Sequence, residues 1–331
     1  MRRLTFLVLF IAAAYSAYWF IGSRAVENGT ESMIAQARSD GWDLSYTTLN
    51  TTGFPSRFDT TVTDLSVSPL GEGWQWSAPF LQVFALSYQP NRLIAAFPNE
   101  QSVRIGGQVI DIESDSLRAS AGVSANSDLS FDDATVEVGA LTAQSDFGWA
   151  VTLDRALGAF RTQPAAENRY DAYFEIDGIT LPADVTRQID PSGTLGPVIA
   201  NTVLDSAVTF DQPLDRHAFD GVGALPLATN FTLRNFTLHW GQVTVRAQGG
   251  FDIDAQGIPD GRITFRSEQW REMIEMMVAA GVIDPSIEPT VINIASAMAL
   301  GGGALELPLV FKGGAMSIGP LPIGPAPRFW Q

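Results

Sequence analysis

The 331-residue chain reads as a mainly β protein of the α+β kind. It predicts an N-terminal transmembrane helix, then extended antiparallel β-sheets, with two helices packed near the C-terminus. Three observations predict this. An uncharged apolar run opens the chain. Short segments with period-two alternation, bounded by Gly, Pro, Asn and Asp, fill most of the remainder. Helical periodicity returns only between 268 and 300, so strands and helices are segregated, which argues against a doubly wound parallel sheet.

The opening "MRRLTFLVLFIAAAYSAYWFIGSR" places Arg2 and Arg3 before an uncharged stretch from Leu4 to Ser23. Twenty helical residues span roughly 30 Å, the thickness of a hydrocarbon core. Tyr15, Tyr18 and Trp19 stand toward its far end, as an interfacial aromatic belt does. Residues 1–24 are therefore an anchor with its N-terminus inside, or a signal cleaved near "AYS" at 14–16. Either way the rest is exported, which places the bulk of the chain in the periplasm beside an inner membrane. Residues 25–40 suit a helical linker that stops at Gly41.

Two β-rich regions follow, 41–225 and 226–331. In the first, "FDTTVTDLSV" is rich in Thr and Val, and "WQWSAPFLQVFALSYQP" and "NRLIAAFP" flank a turn at "QPN". "ENRYDAYFEIDGITLP" puts Tyr170, Ala172, Phe174 and Ile176 on one face. In the second, "FTLRNFTLHW" loses its alternation near Asn235, as at a bulge. Val243, Val245, Ala247, Phe251 and Ile253 share a face, "AQGIPDG" turns, and "RITFRS" returns. Trp270, Met273, Ile274, Met277 and Val278 then recur at helical spacing. Ser267 caps that helix and Gly281 ends it. Pro289 opens a second helix, which the glycines at 301–303 stop. Two last strands join at "KGG".

Several functions are excluded or disfavoured. Net charge is −16, and only Lys312 is lysine, so no basic patch serves nucleic acid. With no cysteine there is no disulfide and no thiolate chemistry. His217 and His239 make a poor metal pair. Asp252, Asp254 and Asp260 lack the spacing and distal glutamate of a calcium loop and suit a hairpin turn. No G-x-S-x-G elbow occurs. No catalytic residue, metal or cofactor is assigned, and the chain is expected not to be an enzyme.

The combination of "GW…Y…GFPSRFD", "WSAPFLQVFALSYQPNRLIAAFP", "FDIDAQGIPDGRITF" and "LPLVFKGGAMSIGPLPIGPAPR" resembles an alphaproteobacterial membrane-anchored family catalogued as domain of unknown function 2125. The resemblance implies export and anchoring and brings no activity. The architecture is also similar to AsmA-like envelope proteins, whose long β-structure carries a greasy groove linked to lipid handling, by analogy only. The expected partners are the inner membrane, through the N-terminal helix, and a lipid or an envelope protein. The candidate ligand-binding residues are Arg57, with a guanidinium suited to phosphate or carboxylate, and the aromatic Trp76 and Phe80. A sealed core with no small ligand is the alternative.

Overall fold

The computed structural model describes residues 2–330 except 72, 191–192, 219–223, 280, 300–303 and 320. The chain forms two compact units. The first comprises Met1–Ala125 and Val136–Trp149, the second Asn126–Thr135 and Ala150–Gln331. The region boundary expected at 225 falls inside the second unit.

The first unit holds α1 (Arg2–Ser39), β1 (Trp42–Ser45), β2 (Thr48–Thr52), β3 (Arg57–Pro69), β4 (Trp74–Leu86), β5 (Gln89–Phe97), β6 (Glu100–Ile105), β7 (Gln108–Ser114) and β8 (Leu117–Val123). The next strand, β9 (Phe131–Val138), spans the division at 135, and β10 (Leu141–Ser145) belongs to the first unit. β3 and β4 are its spine, antiparallel from Arg57↔Leu86 to Val67↔Trp76. Each carries two shorter strands end to end. β2 and β1 pair with β3, and β5 and β6 pair with β4. β8 extends the sheet from β5, and β7 then β10 extend it from β6. The β4–β5 turn is Ser87–Tyr88, two residues before the expected "QPN". Pro90 instead sits at the start of β5, where a strand tolerates its missing N–H.

The expected anchor and linker form one continuous helix, α1. Its second half lies against the sheet. Trp19 is buried, and its indole Nε1 donates to the Arg57 carbonyl at 2.7 Å. Farther along, Glu27 accepts from the Thr51 N–H at 2.7 Å, and the Arg38 guanidinium donates to the Leu44 carbonyl at 2.6 Å. Leu44 pairs with Val67 of β3.

The second unit contains β11 (Ala150–Leu153), β12 (Arg155–Thr162), β13 (Arg169–Thr180), α2 (Ala183–Ile189), β14 (Val198–Phe210), β15 (Ala228–Trp240), β16 (Val243–Ile253) and β17 (Pro259–Ser267). It ends with α3 (Trp270–Ala279), α4 (Glu288–Met298), β18 (Leu305–Lys312), β19 (Ala315–Ile318) and β20 (Leu321–Pro325). From β12 to β20 each strand pairs antiparallel with the next. α3 and α4 interrupt the meander between β17 and β18.

Their place in the chain explains the core. Val243, Val245, Ala247, Phe251 and Ile253 are all buried, as their alternation requires. Leu305, Leu307, Leu309 and Phe311 alternate the same way along β18. Met273, Ile274 and Met277 of α3, with Val291 and Ala295 of α4, cover them. The Ser267 hydroxyl accepts from the Gln269 N–H at 3.1 Å at the start of α3. After Ala279, Gly281 has φ +73°, which glycine adopts without a Cβ penalty. Pro289 lies in the first turn of α4. The glycines expected to stop it, 301–303, lie outside the described residues.

Candidate functional site

Residues directly opposite in antiparallel strands share a face. In the first unit, Phe58, Ala85 and Leu93 form one such row. Phe58 is buried on that face against Trp19, with ring centroids 5.9 Å apart. The next rows face the other way. They are Arg57–Leu86–Gln89 and Asp59–Phe84–Ile94. This opposite face carries a hollow of about 480 Å³ lined by Arg57, Phe84, Ala85, Leu86, Gln89, Arg92 and Ile94.

The hollow has an apolar floor between two arginines. Arg57 lies 5.8 Å from the Phe84 ring centroid, a cation–π distance. Its Nη2 also meets Asp59 Oδ2 at 2.5 Å. The Arg57 side chain keeps 55% of its exposure, while Asp59 keeps 13%. Asp59 Oδ1 is buried with no hydrogen-bond partner among the described residues. The Gly53 turn holds this corner. Gly53 has φ +101°, and a Cβ there would lie 2.9 Å from the Arg57 carbonyl and 3.0 Å from Asp59 Oδ2. The Gly-Phe-Pro corner therefore positions Arg57 at a strand start, and the arginine both pairs with an acid and faces an apolar hollow.

The other two expected ligand residues lie elsewhere on β4. Phe80 shares the hollow's face but stands four residues from Phe84, roughly 13 Å along the strand. Trp76 is eight residues away, roughly 26 Å. Its Nε1 donates to Gln101 Oε1 at 3.0 Å, and its ring meets the edge of Phe97. Neither lines the hollow. The residues that do, Phe84, Leu86 and Ile94, lie in runs that are apolar without a break. Which of them face which way depends on register, and only the partner strand supplies that.

A second, polar hollow of about 540 Å³ lies in the second unit, lined by Ala159, Arg161, Gln163, Asp171, Tyr173, Asp205 and Arg234. The bulge expected near Asn235 makes it. Pairing of β15 with β16 jumps between Leu233 and Phe236. Arg234 reaches Asp171 at 2.6 Å and Asp205 at 2.5 Å. Burial pushes the Asp171 carboxyl up, but hydrogen bonds from Arg234 and Gln163 and the Arg234 charge outweigh it, leaving the group below the usual aspartate range. Asp205 in turn holds the Arg234 guanidinium above its ordinary value. The charges are mutually satisfied across neighbouring strands.

His239 Nδ1 lies 3.0 Å from the Thr244 hydroxyl on the adjoining strand. His217 is exposed on a short turn, with its N–H donating to Asp215. Among the described residues no three of His, Cys, Asp and Glu gather to hold a metal ion. Asp254 Oδ1 accepts from the Gln256 and Ile258 N–H groups, both at 2.9 Å, so it closes the β16–β17 hairpin.

Tyr15 and Tyr18, expected as an interfacial belt, direct their hydroxyls to the end of the sheet. Tyr15 lies 3.0 Å from Ser87 Oγ, and Tyr18 donates to the Ser87 carbonyl at 2.6 Å. Among the described residues α1 alone is long and apolar enough to cross a membrane. The mean hydropathy of its apolar window is 2.0, and 6% of that window is buried.

A model of a bacterial family described as an uncharacterised protein conserved in bacteria, DUF2125, matches residues 19–327. No curated protein and no solved structure matches the chain.

Proposed function

Starting from a chain that belongs to the uncharacterised bacterial family DUF2125, we propose that it is a single-pass inner-membrane protein whose β-rich bulk lies in the periplasm and binds or passes a lipid-like ligand. The observation that carries the reading is the hollow between Arg57 and Arg92, floored by Phe84, Leu86 and Ile94. It lies at the end of the first unit's sheet where the apolar part of α1 departs.

The chemistry suits an amphiphile. A carboxylate or phosphate takes charge-assisted hydrogen bonds from an arginine. An acyl chain gains about 0.8 kcal/mol for each methylene it removes from water. Asp59 holds Arg57 from one side and moderates its pull on an anion, so apolar contact with Phe84 and Ile94 supplies most of the affinity in this reading. The protein works by binding, without a catalytic step.

The opposing reading is an envelope interaction protein with no small ligand. The closed core of the second unit favours it. Native mass spectrometry of the detergent-purified full-length protein, with lipid extraction of the same sample, separates the two. Its intact mass also tells whether residues 1–16 are retained. The expected result is an uncleaved chain with a stoichiometric phospholipid or fatty acid, lost on Ile94→Glu. A lipid-free protein that keeps its fold would sink the lipid reading.

A further inference from the structure

The end of the sheet beside the hollow is built from two turns. One, 53–56, leads into β3 and carries Phe54, 51% exposed. The other joins β4 to β5 and carries Tyr88, 69% exposed. In a chain of net charge −16, neither 53–57 nor 86–92 contains an acid, and each ends in an arginine, the first of which keeps 55% of its side-chain exposure while pairing with Asp59. Phe20 of α1 stacks on Phe54, with centroids 5.8 Å apart and planes at 17°. Phe20 and Ile21 are exposed at 58% and 71%, so helix and turn present one aromatic surface.

Two anchor points fix the direction of α1. Trp19 meets Arg57 and Arg38 meets Leu44, which pairs with Val67. Nineteen helical residues rise about 28 Å. Ten strand residues rise about 33 Å. The two lengths match, so α1 runs beside β3 in the same sense. Tyr15 and Tyr18 still bond to Ser87 at that end, so residues 2–14 project roughly 20 Å past it, about two thirds of a hydrocarbon core. A bilayer that takes up this segment brings the two turns to headgroup level.

We propose that this end of the sheet is a membrane-docking surface. Phe20, Phe54 and Tyr88 seat in the interfacial layer of the leaflet, where aromatic rings concentrate. Arg57 and Arg92 meet lipid phosphates, and the strands of the first unit stand upright on the bilayer. The inference rests on the reading of α1 as an anchor. It does not require the hollow to be filled.

The absence of native cysteine allows a direct test. Single-cysteine variants Phe54→Cys, Tyr88→Cys, Ile11→Cys and Phe147→Cys of the full-length protein are labelled with a nitroxide. They are reconstituted in phosphatidylethanolamine–phosphatidylglycerol vesicles. Collisions with oxygen and with a water-soluble nickel chelate are compared by EPR. Phe147 is the control, an aromatic 67% exposed at the opposite end of the same sheet, where Asp146 bonds to Val109. Labels at 54 and 88 are expected to lose most nickel collisions and gain oxygen collisions, while 147 stays in water. Labels at 54 and 88 as wet as that at 147 overturn the docking surface, even with Ile11 in lipid. A wet label at Ile11 overturns the anchor and the docking surface with it. Lipid retained in the hollow is read separately by mass spectrometry.

Discussion

In the second unit, the side chains that alternate along β16 and β18 meet two helices. In the first, α1 lies against β1, β2 and β3, and Phe84, Leu86 and Ile94 of β4 and β5 line an open hollow. The result shows in the burial. Among the described residues of the first unit, only Trp19, Phe58, Val62, Leu65, Ala78 and Pro98 are buried apolar side chains. The remaining ones, from Ala156 to Ile318, belong to the second. Ile94 is 49% exposed, while Ile274, Ile283 and Ala295 are 0% exposed. Similar strands thus give a sealed core or an open apolar face, according to whether the chain supplies a helical cover. The comparison assigns stability to the second unit and leaves the open face of the first to the proposed ligand, and substitutions can break that assignment.

The largest effect is expected at Trp240. It is 1% exposed, and its Nε1 donates to the Gly196 carbonyl at 2.8 Å. Trp240→Ala leaves a cavity and an unpaired carbonyl, and should lower unfolding free energy by about 3–5 kcal/mol in urea titrations. A loss below about 1 kcal/mol would mean that this core is not the stable part of the molecule.

Next comes Trp19. Trp19→Phe keeps most of the contact with Phe58 but removes the bond to the Arg57 carbonyl, which should cost about 1 kcal/mol. Hydrogen exchange at β3 is the readout. Faster exchange from 58 to 62, with the second unit unchanged, is the expected pattern. Equal loosening of both units would contradict separate stabilisation.

The sequence showed most of this architecture and little of its asymmetry. Period-two runs gave the strands, and the change of period at 268 gave α3 and α4. The slip at Asn235 marked the bulge that redirects Arg234. Arg57 stands out in the sequence for its guanidinium, and the Gly-Phe-Pro corner before it sets its place. Trp76 and Phe80 stand out as aromatics, yet the hollow lies farther along the same strand. Phe84 and Ile94 could not be singled out, because "FLQVFALSY" and "LIAAF" are apolar on both faces. The continuity of α1 was also hidden. The polar composition of 25–40 suggested a separate linker, whereas Glu27 and Arg38 are polar because they bond to the sheet.

A smaller effect concerns the polar hollow of the second unit. Asp171 is held below the 3.8 of an unperturbed aspartate. Its ion pairs therefore add stability that is fully present above that value and is lost as pH falls through the folded pKa. Arg234 retains 36% of its side-chain exposure, so screening keeps the contribution under about 1 kcal/mol. Asp171→Asn should flatten the decline of the urea midpoint between about pH 5 and about pH 2. An unchanged decline would assign the acid sensitivity to other carboxylates.

Ile94→Glu should have the smallest effect on stability and the clearest effect on function. The side chain is half in solvent on an open face, so the change should stay within about 0.5 kcal/mol. The same carboxylate projects into the apolar hollow beside Phe84 and opposes both an acyl chain and an anionic headgroup. Full folding stability with lost lipid in native mass spectra would separate the two roles at a single position. Ile94→Val, which keeps the floor apolar, should retain the lipid. A loss of several kcal/mol on Ile94→Glu would instead show that the first unit depends on this face as a core, and the contrast between an open and a sealed sheet would no longer hold.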